Sequence, residues 1–355
     1  MRQLLAAAQE QVAAGDFEGA RATLASISTL GSVSQQEASL ILYLSGQVSY
    51  EQGQVGRAVS AWRQALAIGG LPEAQQLALE AALARLAERA APAGTPSSPQ
   101  ALLQAADQAS QFGRSEEAET YYDAAIKGFA AEGNATGLAR AHYEFGNHLA
   151  TTRRDLEGAL GQHVIAVEHA ELSGERSLLL SVLGAIGRAA IVAGRAEDGR
   201  VAFERLLGLL GDEDGALRAG ALAGLGEASL RLKDWPAAVE AYEQWLAVTD
   251  TSEDPEAQRM LHSYVLALRL AGRVDDALSI IARLDAMAQS EDERRRLALQ
   301  LEQDGVRARG LEHAAAGCWF DARAQERYVA LGRDEDADIL EAVMDAERCS
   351  EASID

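Results

Sequence analysis

Apolar residues recur along this chain at helical spacing, in pairs of segments separated by short polar breaks. Residues 176–193 carry a wide apolar face, and the segment from about residue 197 to 210 turns Phe203 and Leu206 toward one side. Gly194 separates the two segments, and glycine readily adopts the left-handed conformation that a helix end often needs. The pattern therefore predicts a helical hairpin.

A small residue marks the same place in the second helix of each predicted hairpin. Successive marks are 38 to 45 residues apart, with one longer step of 60. A period near forty is typical of stacked helical hairpins. Most marks follow a glycine by five residues, as the last follows Gly317. The marks are Ala20, Ala58, Ala118, Ala159, Gly199, Ala238, Ala277 and Ala322.

The 60-residue step predicts a division of the chain. It contains one extra helix, from Pro72 to about residue 90, and then a stretch that holds three of the six prolines. Proline interrupts a helix interior, so this stretch is predicted to be a linker. The predicted parts are an N-terminal pair of hairpins with the extra helix (1–90), the linker (91–99) and a main array (100–332). Residues 333–355 are predicted to form an acidic capping helix and tail, with an acidic interaction tail as the alternative.

The residue types at the marks resemble the tetratricopeptide repeat (TPR) family. In that family a glycine of the first helix is followed twelve residues later by a small residue, and four further on by an aromatic one. Gly226 is followed in this way by Ala238 and Tyr242. The same pattern begins at Gly46 and Gly187, with looser matches in the other hairpins.

The resemblance implies an all-α solenoid of about eight TPR-like hairpins, with an extra helix after the second hairpin and a capping helix at the C-terminus. The period near forty exceeds the 34 residues usual in the family, which indicates a long-repeat variant. No run of alternating β-branched residues predicts a sheet. Another helical solenoid or a looser all-α bundle is the alternative.

The charge narrows the classes of partner. The formal net charge is −22, whereas nucleic acids and anionic membrane surfaces attract basic proteins. We therefore expect neither nucleic-acid binding nor membrane insertion. The acidity favours a basic partner or is only a solvated surface, and both interpretations stay open.

The start of the chain has no long apolar stretch, which predicts a cytoplasmic protein. Only two of the basic residues are lysine, which indicates a GC-rich bacterial genome.

No pattern predicts catalysis or a cofactor. The sequence lacks Gly-x-Ser-x-Gly, a phosphate-binding glycine loop and His-Glu-x-x-His. Two cysteines, Cys318 and Cys349, predict neither a disulfide framework nor a metal site. Four histidines crowd one hairpin, but a spacing of six within each helix puts neither pair on one face, so no metal site is predicted. They are His142, His148, His163 and His169.

The TPR resemblance also implies a concave groove lined by the first helix of each hairpin. The lining positions lie three residues before the glycine and one and four residues after it. They give a predicted partner-binding groove of Tyr43, Gln47, Tyr50, Asp107, Tyr143, Asn147, Arg188, Glu227, His262 and Arg269. Asn147 follows a glycine, as in members that clamp a C-terminal carboxylate. The lysine of such a clamp is absent, because Tyr143 stands at its position.

A repeat array without catalytic residues predicts a non-enzymatic scaffold or adaptor that binds a protein or peptide segment in its groove. The alternative is a TPR receptor or sensor for a signalling peptide or small molecule that regulates a partner. Self-association also stays open, because an uncapped solenoid end can stack on another copy.

Overall fold

The computed structural model describes residues 2–27, 34–89, 96–211, 214–249 and 255–350. These residues form α-helices and one π-helical segment, and none of them forms a strand, so the predicted all-α class is confirmed. The α-helices are α1 (Arg2–Ala13), α2 (Phe17–Ile27), α3 (Gln35–Glu51), α4 (Val55–Ile68), α5 (Glu73–Arg89), α6 (Pro99–Gln111), α7 (Ser115–Ala131), α8 (Ala135–His148), α9 (Leu156–Ser173), α10 (Arg176–Val192), α11 (Ala196–Leu209), α12 (Gly215–Arg231), α13 (Trp235–Val248), α14 (Pro255–Leu270), α15 (Val274–Met287), α16 (Glu291–Gly310), α17 (Ala314–Ala330) and α18 (Asp334–Ala346).

The described helices form eight hairpins in chain order, from α1–α2 to α16–α17. Helix α5 follows the second hairpin, and α18 follows the last, as predicted. Helix α18 begins with three acidic residues and buries Ala337, Leu340 and Met344. The buried face of α18 joins the core that runs from α12 to α17. This supplies the predicted C-terminal capping helix.

The contacts divide the chain into two compact units, Met1–Leu179 (unit 1) and Leu180–Asp355 (unit 2). Among the described residues of unit 1, apolar clusters are centred on α1–α3, α4–α5 and α6–α8. In the described part of unit 2, a large apolar core extends from α12 to α18. Residues 91–95 of the predicted linker lie outside the described residues, and Pro99 already begins α6. The division at the linker therefore stays a prediction.

The glycine-to-aromatic spacing of sixteen residues places an aromatic ring directly over a first-helix glycine. A Cβ added to Gly226 would lie 2.7 Å from Cζ of Tyr242, and one added to Gly46 would overlap the indole of Trp62. Phe203 contacts Gly187 of its own hairpin and Gly224 of the next. Glycine is required at these positions because a side chain would force the helices apart.

The last hairpin corrects the sequence register. The sequence pattern predicts Gly317 as the glycine five residues before the mark Ala322, but Gly317 lies inside α17. Glu312 holds the left-handed turn position, with φ of 63°. A Cβ on Gly305 would overlap Asp321, so Gly305 and Asp321 take the glycine and aromatic positions and Gly317 is the mark. The prediction was wrong because it required a glycine in the turn.

The fourth hairpin contains the π-helical segment Leu149–Arg153, directly after α8. Elsewhere the residue before the second helix donates its backbone N–H to the carbonyl five residues back, as Asp234 does to Ser229. Here the N–H of Asp155 donates to the carbonyl of Leu149, six residues back. Ala159 follows Gly146 by thirteen residues, whereas Ala238 follows Gly226 by twelve, and the wider π-helical turn accommodates this extra residue.

A disulfide joins Cys318 of α17 to Cys349, which follows α18. The two Cα atoms are 5.7 Å apart, and 31 residues separate the cysteines along the chain. The sequence spacing did not predict this pairing. The bridge attaches the C-terminal helix covalently to the hairpin that it covers.

Candidate functional site

A cavity of about 350 Å³ opens among the first five helices of unit 1. Aromatic side chains form a large part of its wall, and one carboxylate and one amide complete it. We call this cavity the aromatic pocket. Its lining residues are Val12, Phe17, Tyr43, Gln47, Tyr50, Glu51, Trp62, Ala78, Leu79 and Ala82.

Helix α3 supplies the polar wall of the aromatic pocket. Tyr43, Gln47 and Tyr50 follow one another at spacings of four and three residues, which places them on one face of the helix. The Nε2 of Gln47 donates to the hydroxyl of Tyr43 at 3.0 Å. The structure thus brings three of the predicted groove residues together at one cavity.

Trp62 of α4 fixes this wall from behind. Its indole Nε1 donates to the backbone carbonyl of Tyr43 at 3.1 Å, and its ring centre lies 5.6 Å from that of Tyr50. The absence of a side chain on Gly46 lets the indole lie against α3. Trp62 stands at the aromatic position of the TPR-like pattern that begins at Gly46, and its role as a pocket wall was not predicted.

The extra helix α5 closes the far side of the aromatic pocket. It contributes Ala78, Leu79 and Ala82, of which Leu79 is almost fully buried in the cluster around Trp62. The small alanines keep the cavity open, because a larger side chain at these positions would fill it. The sequence predicted this helix but not its contribution to a cavity.

A second row of predicted groove residues lies on α6 and α8 of unit 1. The hydroxyl of Tyr122 donates to Oδ1 of Asp107 at 2.9 Å. Burial raises the pKa of Asp107 to about 6, although the hydrogen bond from Tyr122 opposes the shift. On α8, the Nδ2 of Asn147 is 3.4 Å from Oε2 of Glu144, and the ring of Tyr143 packs near that of His163.

Two of the four crowded histidines of unit 1 form hydrogen bonds with side chains of neighbouring helices. Nδ1 of His142 lies 2.7 Å from Oε1 of Gln162, and Nδ1 of His148 lies 2.7 Å from the hydroxyl of Ser110. Burial lowers the pKa of both histidines, which favours their neutral forms. Among the described residues, no group of three His, Cys, Asp or Glu side chains is placed to hold a metal ion.

In unit 2, charged side chains from three successive first helices meet in one network. Nη2 of Arg307 lies 3.1 Å from Oε2 of Glu227, and its Nη1 lies 3.5 Å from Oδ1 of Asp304. Asp304 is fully buried and its Oδ2 is 3.2 Å from Nδ1 of His262. We call this set the unit 2 network. It joins two predicted groove residues, Glu227 and His262, to two residues that were not predicted.

The two residues of the unit 2 network that were not predicted lie on α16. In this hairpin the predicted small-residue mark was Ala322, five residues after the actual one, Gly317. Asp304 and Arg307 flank Gly305, which is the first-helix glycine once the register is corrected. The glycine spacing from Gly305 to Gly317 was the signal that could have directed attention to them.

The remaining predicted groove residues of unit 2 are Arg188 and Arg269. Arg188 is exposed, and its guanidinium folds back over Gly184 of the same helix. A Cβ added to Gly184 would lie 3.3 Å from Nη1 of Arg188. The guanidinium of Arg269 lies 5.5 Å from the centre of the Trp319 ring, and burial lowers its pKa. None of the described helices combines the length and the apolar composition that a membrane span requires.

Comparison with known proteins identifies the fold. No protein-family model and no curated protein matches the sequence. Among solved structures, the apo form of RapI has a TM-score of 0.52 and 10% identity, and the match covers 98% of this chain and 97% of RapI. The quorum sensor NprR from B. thuringiensis scores 0.45 at 13% identity, covering 98% of both chains. Aspartyl phosphate phosphatase F from Bacillus subtilis scores 0.44 at 10% identity, covering 99% of this chain and 94% of its own.

The likeness to RapI supports a TPR-type helical repeat fold for this chain. At 10% identity it concerns the fold alone, and the two lower scores add no argument. The long-repeat variant of the TPR family stays a prediction. The functional assignment therefore depends on the chemistry of the surfaces described above.

Proposed function

We propose that the protein is a non-enzymatic TPR-like scaffold that binds a peptide segment of a partner protein, and that the aromatic pocket is its main contact site. The observation that carries this proposal is the convergence of Phe17, Tyr43, Tyr50 and Trp62 on one cavity. Tyrosine and tryptophan combine large rigid apolar surfaces with hydrogen-bonding tips, and they dominate binding energy at interfaces.

The volume and shape of the aromatic pocket support this role. A cavity of about 350 Å³ falls at the lower end of the range typical for ligand sites, about 300–1,000 Å³. Such a volume accommodates one or two side chains of an extended segment. The hydrogen bonds of Tyr43 with Gln47 and Trp62 hold the wall in place before a ligand arrives.

The unit 2 network is a weaker candidate for the main contact site. Glu227 is already engaged by Arg231 at 2.9 Å and by Arg307 at 3.1 Å. His262 is buried against Asp304. Charges that neutralise one another within the protein offer little to a partner, so we assign this network to stability.

Selection of peptides from a random display library tests the proposal. We expect the protein to enrich a peptide family that loses binding with Tyr50→Ala, which removes a half-exposed ring from the pocket wall. Leu77→Ala is the matched control, because Leu77 is an exposed α5 residue outside the lining. Peptides that bind both variants equally would show that the pocket is not the contact site.

A receptor for a small molecule is the second candidate, and the compact volume of the pocket favours it. The low-molecular-weight fraction of a cell extract should then raise the melting temperature of the wild type and not that of the Tyr50→Ala variant. Stabilisation by selected peptides alone would favour the scaffold.

A further inference from the structure

We propose that the aromatic pocket takes the side chain of an arginine from the bound segment. This inference rests on the proposed function and adds the chemical class of its ligand. Its first support is the charge of the lining, which contains one carboxylate, that of Glu51, and no basic side chain. The formal charge of the whole chain, −22, favours the approach of a basic segment.

The rings of the lining suit a planar cation. The face of an aromatic ring is negative, and a guanidinium stacks on it more readily than an ammonium group does. Tyr50 and Trp62 stand side by side at an interplanar angle of 37°, with Phe17 and Tyr43 in the same wall. A guanidinium lying against the exposed faces of these rings would gain a cation–π contact while its aliphatic stem packs on Leu79.

The end of α3 supplies the second, independent support. Glu51 is the last residue of α3, where the unpaired carbonyl groups of the helix carry partial negative charge. The last turn of α3 contains no basic residue, and Glu51 forms no ion pair with another described residue. A carboxylate at this end is unfavourable by itself, so an arriving cation relieves a repulsion that the free protein retains.

The polar groups of the pocket match the donors of arginine. Gln47 uses its Nε2 to donate to Tyr43, which leaves its Oε1 as an acceptor. The carboxylate of Glu51 is also an acceptor. A guanidinium carries five N–H donors and no acceptor, so it is complementary to both groups.

Five-residue peptide libraries with one fixed central residue and randomised flanks test the ligand class by fluorescence polarisation. We expect the arginine library to bind about tenfold more tightly than the library with citrulline, its neutral analogue. Glu51→Gln should remove most of this ratio, and Leu77→Ala should preserve it. Both side chains are exposed, so neither variant should prevent folding.

The outcomes separate the two proposals. If all libraries bind alike and Tyr50→Ala weakens them all, the pocket binds peptides but the arginine assignment is wrong. A third library carries lysine at the fixed central position. If it binds as tightly as the arginine library, the guanidinium is not what is recognised. If no library depends on Tyr50, the proposed contact site itself is refuted.

Discussion

Breaking the disulfide between Cys318 and Cys349 should loosen the C-terminal helix. The bridge closes a loop of 31 residues, for which the chain-entropy model gives a stabilisation of about 3.7 kcal/mol at 25 °C. This corresponds to a change of roughly several hundredfold in the equilibrium between the folded and the unfolded state of the segment that the bridge closes. In a repeat array each unit contacts mainly its neighbours, so the effect should be largest at the C-terminus.

Hydrogen exchange followed by mass spectrometry measures this effect segment by segment. Cys349→Ser, or reduction of the wild type, should accelerate exchange in residues 334–346 and leave α12 little changed. Reductant should have no effect on the variant, which is the internal control. Equal protection of α18 with and without the bridge would refute the reasoning, and would mean that Ala337, Leu340 and Met344 hold the helix by burial alone.

The same bridge bears on the predicted cytoplasmic location. Cytosolic thiols are normally kept reduced, so a cytoplasmic protein would carry Cys318 and Cys349 as free thiols. Alkylation of the protein in its source cell, followed by mass spectrometry, reports the state of both cysteines. A bridge present before lysis would favour an oxidising compartment over the predicted one.

Three further predictions concern the helix crossings, one titrating group and the unit 2 network. Gly226→Val should destabilise the fold by about 1–3 kcal/mol, because the valine side chain would overlap Tyr242. Gly161→Ala should stabilise the fold by about 0.5–1 kcal/mol, because nothing lies within 4 Å of the added methyl group. Urea denaturation measures both effects. The pKa of Asp107 is raised to about 6 from 3.8 for an unperturbed aspartate, so the contribution of this group to stability is lost as the pH rises through this interval. The free energy of unfolding of Asp107→Asn should therefore rise relative to that of the wild type from pH 4 to pH 7. A difference between the two proteins that stays constant with pH would contradict this. Arg307→Ala should cost about 1–3 kcal/mol, because it removes a partner from the buried carboxylate of the network, and an unchanged urea midpoint would contradict that role.

The helix crossings were predictable because the distance between two packed helices depends on side-chain size. Gly226, Ala238 and Tyr242 lie in one local pattern, and the residue types alone indicate which faces touch. The turns were less predictable. Lys233 and Glu312 adopt the left-handed conformation that glycine holds in other hairpins, with φ of 60° and 63°. Because each turn is fixed by its hydrogen bonds on both sides, a glycine there is favourable but not necessary.

The candidate site was predictable on α3 and not beyond it. Tyr43, Gln47 and Tyr50 follow from the register of a single helix. The opposite wall comes from α5, which belongs to no hairpin and therefore has no register from which a facing position could be inferred. The unit 2 network depends on contacts between residues 42 and 80 positions apart, such as that of Arg307 with Glu227. Local periodicity carries no information about such pairs.

The π-helical segment Leu149–Arg153 shows how a repeat of this kind can lengthen. The additional residue is absorbed by a wider helical turn, and α9 still buries Ala159 and His163 at the positions that its neighbours use. An insertion placed at the end of a first helix thus leaves the contacts of the second helix intact. Single-residue length changes between related arrays are then expected at this joint, and methods that require a constant repeat length would overlook hairpins that pack normally.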